Sequence, residues 1–169
     1  MVGDLSHYID EVYVAKVCQK EAELNALKMQ IQPHYLYNTL DVIRMTALEN
    51  DDGKTARLLE SLGKQLRYVI GQQRERVPFY MELDSIKEYM VLLNARDRDR
   101  FQVNINVSDQ DRKLFVLKLL LQPVIENCIR HGLRQKEGRG TIEIGVKRRP
   151  DCLEIVVMDD GVGMSQKEV

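Results

Sequence analysis

The chain has 169 residues, 44% of them hydrophobic and 30% charged, and 25 Lys and Arg against 26 Asp and Glu leave a formal net charge of −1. Such a balance argues against a nucleic-acid binder that works through a broad basic surface, and the apolar fraction is large enough for a packed core. No apolar run approaches a bilayer span, the first twenty residues carry too many charges for a signal peptide, and Cys18, Cys128 and Cys152 match no zinc or redox spacing, which fits reduced thiols in a cytoplasm.

Residues 1–98 carry helical periodicity. Leu24, Leu27 and Ile31 form one 3–4 stripe, Leu59, Leu62, Leu66 and Val69 a second, and Leu83, Ile86, Met90 and Leu93 a third. Stripes of this kind belong to bundle or coiled-coil seams. Glu49-Asn50-Asp51-Asp52-Gly53 reads as a turn between two helices, which makes a helical hairpin, and Val77-Pro78 marks the entry to a third helix. From Phe101 the period changes to two: Phe101, Val103, Ile105 and Val107 predict a half-buried strand. Ser108–Asp111 is a predicted turn. Leu114–Leu133 is apolar and long enough for a helix, with Pro123 inside it. Thr141–Arg148 alternates again, Pro150-Asp151 is a hairpin turn, and Leu153–Met158 reads as a buried strand running into Asp159-Asp160-Gly161-Val162-Gly163. The fold class is α+β, helices first.

Three groups of polar residues stand out. His34, Asn38 and Asp41, spaced i, i+4, i+7, form a polar strip on a helix. A neutral imidazole there is a competent nucleophile, although periodicity alone favours a surface histidine bonded to Asn38. Pro33 just before it predicts a kink or bulge, because proline lacks the backbone donor. Glu126, Asn127, Arg130 and His131 crowd the end of the predicted Leu114–Leu133 helix, where Asn127 shares a face with Arg130 and His131. Asn offers a neutral oxygen to a hard cation and Arg offers charge to phosphate; a solvated helix end favoured by the helix dipole fits as well. Asp159-x-Gly161-x-Gly163 ends a strand in an acceptor followed by glycines that let backbone approach a ligand, or forms an ordinary glycine-rich turn.

Taken in order, the three groups resemble a known family. Ile31-Gln32-Pro33-His34-Tyr35-Leu36-Tyr37-Asn38-Thr39-Leu40 is similar to the phosphoacceptor box of the LytS/YesM-type sensor histidine kinases. Leu121-Gln122-Pro123-Val124-Ile125-Glu126-Asn127-Cys128-Ile129-Arg130-His131-Gly132 resembles their N box. Asp159-Asp160-Gly161-Val162-Gly163-Met164 resembles their first glycine box, and Val77–Arg100, with Glu82-Leu83 and Tyr89-Met90, fits the region between. The resemblance covers about residues 20–169.

The resemblance implies a dimeric four-helix bundle built from an N-terminal antiparallel hairpin, then a partial Bergerat-type (GHKL) α/β sandwich that binds ATP. Residues 1–20 would be a linker helix, 21–76 the dimerisation and phosphotransfer hairpin, and 77–169 the partial ATP-binding domain. His34 would accept the γ-phosphoryl group of ATP; the i, i+4 spacing, rather than the resemblance, suggests that Asn38 holds its tautomer. Asn127 would coordinate Mg²⁺, Asp159 would bond the adenine amino group, and Gly161 and Gly163 would lie against the nucleotide. Arg130 replaces a usual Lys and would keep a cation near phosphate; Glu126 and His131 match without separate roles. Cys128 replaces a usual Ala and should pack similarly. Related ATPases that use water place a Glu one turn before the metal-binding Asn. Pro123 holds that position here, which favours transfer to histidine over hydrolysis.

The implied partners are a second copy of the chain and a response-regulator aspartate, with no nucleic acid. The implied setting is the cytoplasmic side of a bacterial membrane sensor, reached only through an N-terminal region absent from this sequence. The family's ATP domain continues into a lid and a second glycine box, whereas this sequence ends five residues after Met164. A piece of this extent is expected to transfer phosphate poorly. Two rival readings remain at this level: a dimerisation and signal-relay module with little nucleotide binding, and an ATPase or serine kinase of the same superfamily that needs no His34.

Overall fold

The computed structural model describes Lys16 and residues 32–71 and 74–163. From Gln32 onward these form four α-helices and two small sheets, an α+β arrangement. The chain divides into two units between Asn38 and Thr39. The expected linker helix 1–20 (Lys16 apart), the Leu24, Leu27, Ile31 stripe and Met164 lie outside the described residues.

Helix α1 spans Pro33–Glu49. Pro33 is its first residue, where a missing N–H leaves no intrahelical bond unmade, and Leu36 N–H already bonds the Gln32 carbonyl at 3.2 Å. Proline is the first residue of the described helix, and the segment before Gln32, against which the expected kink would be judged, lies outside the described residues. The predicted turn follows. Asp51 takes a positive φ, and Asp52 caps α2, Gly53–Ile70, by accepting from the Thr55 N–H at 3.0 Å and the Thr55 hydroxyl at 2.6 Å.

The buried residues of α2 are Ala56, Ser61, Gly63 and Gln65. The stripe Leu59, Leu62, Leu66, Val69 is half-buried to exposed instead. The reason is local: α2 packs on the next helix through small and polar groups, with Gln65 donating to the Ser85 carbonyl and to its hydroxyl, and Lys64 pairing with Glu88 at 3.0 Å.

Strand β1, Arg76–Pro78, leads directly into α3, Phe79–Asp97. Leu83, Ile86, Met90 and Leu93 are all buried, as their spacing predicts, and Phe79 joins them. After α3, Arg98 and Asp99 both take positive φ, and Asn94 fastens the following strand by bonding the Phe101 carbonyl at 2.6 Å and its N–H at 2.9 Å.

The main sheet has β4 (Gly140–Arg148) at its centre, parallel to β2 (Phe101–Asn106) and antiparallel to β5 (Leu153–Asp159). Ile142 and Ile144 of β4 are fully buried against α3, and each such side chain contributes about 1.5–3 kcal/mol by leaving water. The 108–111 turn is closed by Ser108 on Asp111 at 2.6 Å, and Asp111 is held in turn by Arg148. The 150–151 hairpin is closed by Arg149 N–H on the Cys152 carbonyl. Strand β5 is half-buried rather than buried, because it pairs only with β4 among the described residues and Met158 faces solvent.

The single helix predicted over Leu114–Leu133 is replaced by four pieces. Phe115–Leu117 is strand β3, antiparallel to β1 with Val77 opposite Val116. A turn follows in which Leu119 has φ +63. Helix α4 is Leu121–Asn127, and Cys128–Leu133 continues it with π-helical winding, the Arg134 N–H reaching the Ile129 carbonyl at 3.0 Å. Pro123 explains the late start: it sits in the first turn of α4, where proline needs no donor. No described helix is long and apolar enough to cross a membrane.

Candidate functional site

His34 is the second residue of α1 and its side chain is exposed. One turn later the Asn38 amide lies 3.2 Å from His34 Nδ1, so the helical spacing delivers the contact that the sequence suggests. The imidazole is accessible, and one of its two nitrogens has a local partner. Asp41, the third member of the strip, turns to Arg44 at 3.5 Å.

In the second unit, Asn127 closes α4 and Arg130 and His131 lie on the π-helical turn, all exposed. Their side chains make no hydrogen bond or ion pair with other described residues. Glu126 differs: its carboxylate accepts from Gln122 Nε2 at 2.9 Å.

The π-helical turn and the loop after β5 meet. Asp159 ends β5, and its Oδ1 accepts the Gly161 N–H at 2.9 Å, which folds the loop back on itself. Gly132 lies beneath it: a Cβ there would stand 2.5 Å from Asp159 Oδ1, and one on Gly161 would stand 2.5 Å from the Gly132 backbone. The Val162 N–H completes the contact on the Gly132 carbonyl at 3.3 Å. Gly163 takes φ +72, a conformation that side chains rarely allow. Two segments far apart in sequence, 127–132 and 159–163, thus form one surface with small residues at the joint and exposed Asn, Arg and His side chains around it.

Sequence reasoning missed three contributors. Cys128 was expected only to fill the place of an alanine, yet its half-buried thiol faces Asp159. Burial first, then the hydrogen bond to that carboxylate, push the thiol up to about 11, so it stays protonated and able to donate. Arg100 donates to the Gly138 carbonyl at 3.0 Å, the Leu133 carbonyl at 3.2 Å and the Lys136 carbonyl, fastening the loop that follows the π-helical turn. Asp160 anchors the glycine loop from below: it accepts the Thr141 N–H at 2.8 Å and pairs with Lys136 at 2.8 Å, and the Lys136 hydrogen bond is the main cause holding its carboxyl below the ordinary range. Arg100 reads as an ordinary surface charge in a linear sequence, and Asp160 as a member of the glycine box with no contact of its own. Only the fold gives them these contacts.

Residues 22–101 match the histidine kinase family. The sensor histidine kinase YesM of Bacillus subtilis (strain 168) is 33% identical over 97% of this chain and 28% of its own length. The sensor histidine kinase YpdA of Escherichia coli (strain K12) is 35% identical over 88% of the chain and 26% of its own length. The sensor histidine kinase/phosphatase LytS of Staphylococcus aureus (strain MRSA252) is 30% identical over 89% of the chain and 26% of its own length. The chain spans about a quarter of the length of these relatives. The family match and the relatedness along most of the sequence make this chain a member of the histidine kinase family, of the YesM and LytS type.

Proposed function

We propose that this chain is the phosphoacceptor and nucleotide-binding part of a two-component sensor kinase, in which His34 takes the γ-phosphoryl group of ATP and passes it to an aspartate of a response regulator. The observation that carries the reading is the joint between the 127–132 turn and the 159–163 loop, which sets an exposed Asn, Arg and His beside a backbone that only glycine permits. That donor set fits a magnesium nucleotide. Asn127 offers an oxygen to the cation, Arg130 and His131 offer positive or donor groups to phosphate, and Asp159 can accept from an amino group. Magnesium bound at Asn127 would neutralise charge on the phosphates. Residues 77–169 would then belong to a GHKL-type ATP domain and residues 21–76 to the phosphotransfer hairpin.

His34 supplies the nucleophile. Turning the Asn38 amide by 180° preserves its shape and lets Oδ1 accept an Nδ1–H, which leaves the lone pair on Nε2. Asn38 in that orientation favours the tautomer that attacks phosphorus. The hairpin would dimerise into four helices: Val42, Ile43, Met45 and Leu48 of α1 and Val69 of α2 are exposed in the single chain, Val42 by 65%, and a second hairpin would cover them.

The test is incubation with γ-labelled ATP and Mg²⁺ of the chain and of its His34→Gln variant. Acid-labile label on the first, weak as expected of a piece of this extent and stronger when the chain is extended through the lid and second glycine box, and none on the second is the expected result. Label that survives acid, or that persists in His34→Gln, would transfer the assignment to a serine kinase or ATPase.

A further inference from the structure

Glu82 lies on the inner face of α3 and is 1% exposed. A carboxylate this buried is costly unless donors surround it. Three do, and they come from two other parts of the chain. The Tyr68 hydroxyl of α2 donates to Oε1, the Leu119 N–H donates to Oε1 at 2.6 Å, and the Leu121 N–H donates to Oε2 at 2.9 Å. Leu121 is the first residue of α4, and the residue before it supplies no capping side chain. Glu82 therefore does for α4 what an N-cap side chain does, from 39 residues away. It also secures Leu119 in its left-handed conformation.

A second tie runs beside the first. Lys118 donates to the Gly71 carbonyl at 3.0 Å and the Val69 carbonyl at 3.4 Å, at the C-terminal end of α2, and its ammonium lies 5.4 Å from the centre of the Tyr68 ring. The last turn of α2 is thus joined at two points to the turn that launches α4. Helix α4 is only seven residues long and ends at Asn127. A short rigid helix transmits a displacement of its first turn to its last.

We infer that Glu82 is a positioning residue that holds the start of α4, and through it Asn127, in register with the last turn of the hairpin helix α2, so that a change at Tyr68 is felt where nucleotide binds. The inference rests on the nucleotide reading proposed above. It gives the hairpin a direct polar connection to the site, separate from the apolar contacts that hold α3 on the sheet. Burial and the adjacent Glu82 carboxylate also push the Tyr68 phenol up, so this hydroxyl remains a donor throughout the neutral range.

The experiment uses the whole chain and two variants, Tyr68→Phe and Glu82→Gln, with two readouts. Amide hydrogen exchange reads the tie itself. In Tyr68→Phe, which deletes one hydroxyl, the Leu119 and Leu121 amides should exchange roughly tenfold faster, the equivalent of one charge-assisted hydrogen bond, while Ile142 and Ile144 in β4 keep their rates. Titration with Mg·ADP reads the coupling. Tyr68→Phe should weaken ADP binding several-fold, and in a Glu82→Gln background it should add no further loss. Unchanged exchange at Leu119 and Leu121, or losses in ADP affinity that simply add, would overturn the inference: Glu82 would then only fill its place in the core. If the unmutated chain bound no ADP at all, the nucleotide reading would fall and the functional half of this inference with it, while the exchange rates would still decide whether Glu82 holds α4.

Discussion

Helices α1 and α2 on one side and the α3–sheet layer on the other all carry helically spaced apolar residues, but they use them in opposite ways. In α3 the stripe Leu83, Ile86, Met90, Leu93 is buried against Ile142 and Ile144 of β4 and Ile125 of α4. In α1 only Ala47 is buried, while Val42, Ile43, Met45 and Leu48 face solvent. In α2 the chain buries Ala56, Ser61 and Gln65 and leaves the leucine stripe partly open. Periodicity therefore establishes that a helix has an apolar face, and not what covers it. One layer is complete within a single chain; the other leaves apolar side chains exposed.

That contrast can be broken most forcefully in the layer that is complete. Leu83→Ala removes a fully buried side chain from the centre of the cluster and should cost about 3 kcal/mol in urea-unfolding stability. A cost below 1 kcal/mol would mean that α3 does not seal the sheet. Gly132→Ala comes next. Its methyl group would stand 2.5 Å from Asp159 Oδ1, and overpacking of this kind costs roughly 1–3 kcal/mol. The damage should concentrate in the 159–163 loop, read as shifted amide resonances of Gly161 and Gly163 with the β2–β4 ladder intact.

Cys128 gives a smaller, pH-dependent effect. Its thiol is raised in the folded chain from 9.0 to about 11, chiefly by burial and then by Asp159. The stabilisation linked to the protonated thiol is thus fully present below pH 9 and is lost as pH rises through 11. Thermal midpoints of the unmutated chain should fall across that window more steeply than those of Cys128→Ala. Equal slopes would remove the thiol from the account. The smallest change in folding stability is expected in the hairpin: Val42→Ser and Met45→Ser should alter it by no more than about 0.5 kcal/mol, yet both should weaken self-association measured by sedimentation. Strong destabilisation of the dilute chain by either substitution would show that these side chains are already covered.

What the sequence made legible follows the same division. The α3 stripe, the alternation in β2 and β4 and the turns at 49–53, 108–111 and 150–151 could all be read because local pattern and tertiary packing agree there. The Leu114–Leu133 segment could not. A three-residue strand inside an apolar run has no period to betray it, and the partner that defines β3 is Arg76–Pro78, nearly forty positions earlier. At the site, His34 and Asn38 were legible because helical spacing alone brings them to 3.2 Å. The joint of Gly132 with Gly161, the thiol of Cys128 on Asp159 and the grip of Arg100 on the 133–138 carbonyls were not, because each depends on two segments that meet only in the folded sheet.

The central claim is that the turn after α4 and the loop after β5 together receive a magnesium nucleotide. Titrating the isotopically labelled chain with Mg·ADP while following every backbone amide tests it most directly. The account predicts saturable shifts at Asn127, Arg130, His131, Asp159, Gly161 and Gly163, reduced in an Asp159→Asn variant. Shifts confined to other parts of the chain, or none at millimolar ADP, would contradict it.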